Sequence, residues 1–143
     1  MPPLDGTLGD GLVRMHHLDK SLRWQIIGDG LAVVKGNPAH SILNSRIDQF
    51  SFNAYDLPDK ITNDLLKNPP VASSIARQGF SVGSPEFGFA QASAESEKKV
   101  TLNGITVREV LNTIAKSSHP RVWLLKQWSC DGRKELTINW IVK

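Results

Sequence analysis

The chain has 143 residues, 40% of them hydrophobic and 22% charged, which is the composition of one compact domain, or one domain with a short extension, and excludes a disordered or fibrous protein. Lys and Arg number 17 against 14 Asp and Glu, a net charge of +3 with no basic run longer than two, and this scatter argues against a nucleic-acid partner. The single Cys130 excludes an internal disulfide and a multi-cysteine zinc site, and no apolar run approaches the roughly 18 residues of a membrane-spanning helix.

The opening Met-Pro-Pro-Leu-Asp lacks the basic-then-apolar pattern of a signal peptide, so an exported parent would carry its signal ahead of Met1. A weak capping box, Thr7 with Asp10, then introduces Leu8, Leu12 and Met15 on one helical face. Gly9 and Gly11 weaken that helix, each by up to about 1 kcal/mol relative to alanine. Residues 22–27 and 31–34 read as strands across Gly28-Asp29-Gly30, a tight hairpin turn.

Residues 47–53 read as a strand with Phe50 and Phe52 on one face. The spacing of Leu57, Ile61 and Leu65 predicts a helix over 57–67, capped by Asp56, with Pro58 tolerated in its first turn and Asn68-Pro69-Pro70 ending it. Residues 69–97 hold Pro69, Pro70 and Pro85, Gly79, Gly83 and Gly88, and six serines, and so predict one long Pro/Gly/Ser-rich loop. Phe80, Phe87 and Phe89 within it either pin the loop to the core or form a lid that binds a partner.

Residues 99–102 read as a short strand ending at Asn103-Gly104. The clearest helix follows over 106–117. Thr106 and Glu109 form a capping box, Val107, Val110, Leu111, Ile114 and Ala115 make one apolar stripe, and Pro120 stops the helix. Residues 121–128 and 135–142 are strands joined by a turn containing Asp131-Gly132. In the last strand Leu136, Ile138, Trp140 and Val142 share a face, and that strand is a candidate sheet edge. In the strand before it, Val122, Leu124 and Trp128 point one way and Trp123 and Leu125 the other, so either both faces are covered or one tryptophan meets a partner.

A shift of 99 residues aligns Thr7 with Thr106, Leu8 with Val107, Asp10 with Glu109, Leu12 with Leu111 and Trp24 with Trp123, so one helix-hairpin module recurs. The expected architecture is α+β, with repeated βαβ-type modules and small sheets packed on helices. A half-module over 1–46 is expected to pack on a main domain over 47–143.

The stretch Gln49-Phe50-Ser51-Phe52-Asn53-Ala54-Tyr55-Asp56-Leu57 through Leu65, followed by Val100-Thr101-Leu102-Asn103-Gly104-Ile105-Thr106-Val107-Arg108-Glu109-Val110-Leu111, resembles the secretin and TonB short N-terminal (STN-like) domain family over roughly 47–142. Residues 7–34 resemble its second half again, and the long loop departs from the family pattern. The resemblance implies a small α+β module that serves as an interaction or signalling piece of a bacterial cell-envelope assembly. It implies a periplasmic setting, a protein partner of the envelope and no catalytic residues.

No constellation of reactive groups competes with that expectation. His16 and His17 are adjacent and diverge on a helix, and with His40 and His119 they make no metal-ligand spacing. Cys130 sits in a turn beside Asp131, no G-x-S-x-G occurs, and the glycines match no phosphate loop. The reading is therefore a non-enzymatic module without cofactor, metal or evident small-molecule substrate. Its candidate partner-binding residues are Phe80, Phe87, Phe89, Trp128 and Trp140. The alternative is a small nucleic-acid-binding α+β domain, in which four tryptophans and mild positive charge form a stacking platform.

Overall fold

A computed structural model of the chain describes residues 8–20, 22–27, 30–35, 42–84, 96–117 and 122–141. The chain divides into two compact units, Met1–Ser41 and Ile42–Lys143. The architecture is α+β, with helices and small sheets in both units.

The first unit contains helix α1 (Leu8–Leu18) and strands β1 (Leu22–Ile27) and β2 (Gly30–Lys35), which form an antiparallel hairpin with Trp24 paired to Val33. Met15, which the helical stripe groups with Leu8 and Leu12, is exposed, as are Val13 and Leu18.

The second unit opens with a 3-10 turn (Ile42–Asn44) whose Ile42 and Leu43 are buried. It continues with strand β3 (Arg46–Asn53), helices α2 (Pro58–Lys67) and α3 (Pro69–Arg77), strands β4 (Ser81–Val82) and β5 (Lys99–Thr106), helix α4 (Val107–Ser117) and strands β6 (Val122–Cys130) and β7 (Arg133–Ile141). Strands β3 and β5 pair antiparallel as one sheet, and β4-β7-β6 form a second, mixed sheet. Helix α2 packs on β3 and β7, and α4 on β5 and β6, so each helix touches both sheets. Each half of the unit thus starts in the two-stranded sheet and passes through helix to the three-stranded one. Helices α1 and α4 are both 11 residues long and lie 107 − 8 = 99 residues apart, each followed by a hairpin.

The β3–β5 ribbon shows why the pattern of 47–53 reads as a strand. Phe50 and Phe52 point inward with ring centroids 5.9 Å apart. On the outer face Gln49 Nε2 donates to Asn103 Oδ1 (3.2 Å), and the Ser51 and Thr101 hydroxyls lie 2.9 Å apart. Such cross-strand polar pairs hold a solvated face in register. The strand does not end at Asn103-Gly104 as expected, since β5 runs on to Thr106. Gly104 adopts φ +59, a conformation only glycine enters freely, and bends the strand instead. Beyond that bend burial changes sides, and Ile47 is buried three residues from Phe50, against strict alternation.

Two further expectations are corrected. Helix α2 has Leu57 at its N-cap with no side-chain cap, because Asp56 instead accepts a hydrogen bond from Lys60. The Asp56 carboxylate holds the Lys60 ammonium pKa above its ordinary value. The predicted loop over 69–97 begins as helix α3, because prolines at the first two helical positions sacrifice only N–H groups that have no intrahelical acceptor. Val71 and Ile75, one turn apart, bury its inner face. Gly79, with φ +76, closes it: its N–H donates to Ala76 O (2.9 Å) and the Phe80 N–H to Ile75 O (3.1 Å), a Schellman cap.

Helix α4 starts as its sequence requires. The Thr106 N–H donates to Glu109 Oε2 (2.6 Å), and the Glu109 N–H to Thr106 Oγ1 (3.3 Å). The Thr106 N–H, and after it the Thr106 hydroxyl (Oγ1 to Oε2, 3.0 Å), donate to the carboxylate and hold the Glu109 pKa below its ordinary value of 4.5. A depressed carboxylate stabilises the fold above the unfolded-state pKa and loses that contribution as pH falls through the folded one. Unfolding measured between pH 6 and 3 should therefore show a steeper acid loss for the native chain than for Glu109→Gln. Thr106→Ala should cost about 1 kcal/mol at neutral pH. Parallel pH profiles for native protein and Glu109→Gln would contradict the reciprocal cap.

Candidate interaction surface

The surface is built on β6 and β7. Asp131 (φ +50) and Gly132 (φ +75) make the two-residue turn between them, with Cys130 paired to Arg133. Two positive φ values in succession define a type I′ turn, whose twist matches that of the strands. The inner face carries Leu136, Ile138 and Trp140, all buried, with Trp123 and Leu125 packed against the same core. Trp123 Nε1 donates to Asn112 Oδ1 of α4 (3.0 Å), and Trp140 Nε1 to Thr62 Oγ1 of α2 (2.8 Å). Each indole therefore buries its ring and satisfies its N–H on a different helix.

The outer face is closed over the middle of β7, where Thr137 and Asn139 are buried, and open at its margin: Val122 is 60% exposed, Leu124 50% and Ile141 52%, and Val122 is the cross-strand partner of Ile141. Trp128, half-buried, follows on the same face, with the Lys126 ammonium 5.5 Å from its ring centroid. Apolar side chains clustered in this way on the outside of a sheet mark an association surface more often than scattered ones do. Strand β6 is also an edge of its sheet among the described residues, so its outer backbone groups have no strand to bond.

Of the described residues expected to meet a partner, only Trp128 lies on this face. Trp140 is a core residue, 4% exposed, and is not available to a partner. Phe80 is half-buried against the core beside its own helix cap, with Lys134 Nζ 5.6 Å from its ring centroid. That is the pinning role, and it fits the hydrophobic contact that accompanies a Schellman cap. Phe87 and Phe89 lie outside the described residues. The expected free edge at the last strand is also corrected: β7 is the middle strand, because β4 pairs parallel to it at Glu135 and Leu136. Val122 and Leu124 were legible as facing away from Trp123 and Leu125, but strand order alone decides which face helices cover.

The buried polar groups are mostly engaged in holding the fold. Asp56 binds Lys60, Thr62 binds Trp140, and Asn139 Nδ2 donates to Thr137 Oγ1 (3.3 Å). Arg108 on α4 is buried with its Nε unbonded, while Glu109 next to it is exposed. Among the described residues no three His, Cys, Asp or Glu side chains gather where they could hold a metal ion. His17 and Cys130 are exposed, and His40 and His119 lie outside the described residues. No described helix is long and apolar enough to cross a membrane. No protein-family model, curated protein or solved structure matches the chain.

Proposed function

We propose that the second unit is a non-enzymatic protein-interaction or signalling module of a bacterial cell-envelope assembly, working in the periplasm and resembling the STN-like domains. The observation that carries the reading is the pairing of an exposed apolar patch, Val122, Leu124 and Ile141, with β6, which among the described residues is an edge strand. An edge strand supplies backbone hydrogen bonds to an added strand, and the neighbouring side chains supply selectivity. The strand and helix that open the unit, β3 and α2, and the β5, α4 and β6–β7 hairpin that close it support the resemblance, with helix α3 and strand β4 inserted between them and two small sheets packed on the helices.

The test uses the natural parent gene expressed in its own host. Cell fractionation should place the product outside the cytoplasm. A photo-cross-linking residue at Leu124 should give an adduct with an envelope protein, whereas one at Ser51, on the polar outer face of β3, should not. Cytoplasmic retention with cross-links to nucleic acid at Leu124 would replace this reading with the nucleic-acid one.

A further inference from the structure

Among the described residues β6 is an edge of its sheet, and the geometry of that edge is self-complementary. In a two-residue hairpin the residues flanking the turn, Cys130 and Arg133, form a hydrogen-bonded pair, and bonded and non-bonded pairs alternate from there. Lys126 and Leu124 therefore direct their N–H and C=O groups toward β7. Trp123, Leu125, Gln127 and Ser129 direct theirs to the open side. The edge is nine residues long, contains no proline, and carries one charged side chain, Lys126. Of the devices that blunt sheet edges it has one, that lysine, and neither a proline nor a short length. The outer face of the β3–β5 ribbon, by contrast, is lined by polar cross-strand pairs.

We propose that two copies of this chain associate by antiparallel pairing of β6 with β6 of a second copy, about a two-fold axis through Leu125. This rests on the interaction-module reading and names the partner of its edge strand. An isologous contact requires a register in which the strand complements itself. Centring on Leu125 places Leu125 opposite its own copy, Trp123 opposite Gln127, Leu124 opposite Lys126 and Val122 opposite Trp128. All the outward-directed backbone groups from Trp123 to Gln127 then find partners. Centring one residue later would set Lys126 against Lys126, which like-charge repulsion disfavours. In the Leu125 register the two ammonium groups are held apart, each flanked by the exposed Leu124 of the other copy. The exposed Val122 is covered by Trp128. Two three-stranded sheets become one continuous six-stranded sheet.

The test is sedimentation equilibrium of the full chain, with charge variants at Leu124, which is half exposed and open to substitution. The native chain should form a concentration-dependent dimer. Leu124→Lys sets two like-charge pairs across the interface and should raise the dimer dissociation constant roughly tenfold, while Leu124→Glu sets two opposite-charge pairs and should lower it. A patch that merely sheds water would be weakened by both. A second measurement is independent of those variants. In the Cys130→Ser background, Leu125→Cys should give a disulfide-linked dimer on mild oxidation, since a hydrogen-bonded antiparallel pair spans about 5.5 Å between Cα atoms, within disulfide reach. Gln127→Cys in the same background should not. A chain that stays monomeric to about 1 mM, or equal weakening by Leu124→Lys and Leu124→Glu, overturns the self-pairing. A monomer that still cross-links at Leu124 to an envelope protein overturns only the self-pairing and leaves the module reading in place. A dimer retained in the cytoplasm does the reverse.

Discussion

Replacing Trp140 with alanine is expected to remove about 3–5 kcal/mol of folding stability, a large part of the roughly 5–15 kcal/mol available to a domain. The side chain is 4% exposed, sits on the face of β7 shared by Leu136 and Ile138, and reaches α2 through its bond to Thr62. Its removal leaves a cavity between a sheet and a helix, and a rigid core closes such a space only in part. The polar half of the contact can be measured separately. Thr62→Val keeps the volume but strands the indole N–H in the interior, at a cost of about 1–3 kcal/mol. Trp140→Phe removes that donor, so the double variant Trp140→Phe, Thr62→Val should be less destabilised than the two single effects added together. Urea midpoints of the four proteins give the comparison. A tryptophan reserved for a partner would behave otherwise: Trp140→Ala would leave the midpoint within about 0.5 kcal/mol of native, as surface substitutions do.

The second large effect is expected at Ile75. Ile75→Ala should cost about 2–5 kcal/mol, because the side chain is 4% exposed and faces the core from α3. The same substitution in a surface loop would cost about 0.5 kcal/mol or less. Chemical denaturation therefore distinguishes a helix over residues 69–77 from the loop that their composition predicts. The cap makes a companion measurement informative. Gly79→Ala places a side chain at φ +76, where the backbone penalty is about 1–2 kcal/mol, without touching the core. A loss at Ile75 with none at Gly79 would mean that the apolar contact survives in some other backbone arrangement.

These two residues also show where sequence reasoning reached its limit. Helix α4 was legible because independent signals agreed: a reciprocal cap at Thr106 and Glu109, and a stripe from Val107 through Ile114 with the right period. Strand β7 was legible because Leu136, Ile138 and Trp140 alternate with polar residues. Helix α3 offers only Val71 and Ile75 for its buried stripe, and its boundary residues, Pro69, Pro70 and Gly79, are the same types that terminate structure elsewhere. Proline's effect depends on whether it enters the first turn or a later one, and glycine's on whether it follows a helix or interrupts one. Composition carries neither fact. Gly104 ends the strand in the sequence reading for the same reason, since a glycine with positive φ can bend a strand as well as terminate it. The interaction surface was half legible. The division of β6 into Val122 and Leu124 against Trp123 and Leu125 follows from alternation, but the side that meets the helices depends on β7 lying between β4 and β6. Trp140 was assigned to a partner because an indole on a terminal strand suits either role until its N–H finds Thr62.

The sheets of the second unit each draw strands from both sides of the stretch between residues 84 and 96: β3 bonds to β5, and β4 to β7. Among the described residues the earlier side, 42–84, has no strand ladder of its own, and the later side has only the β6–β7 hairpin. Neither side can be finished first, and the chain must close a span of about fifty residues before either sheet is complete, a topology that slows folding more than it weakens the product. The same interlocking makes the two sides obligate complements: cut apart, each would be a latent half whose structure returns only by reconstitution with the other.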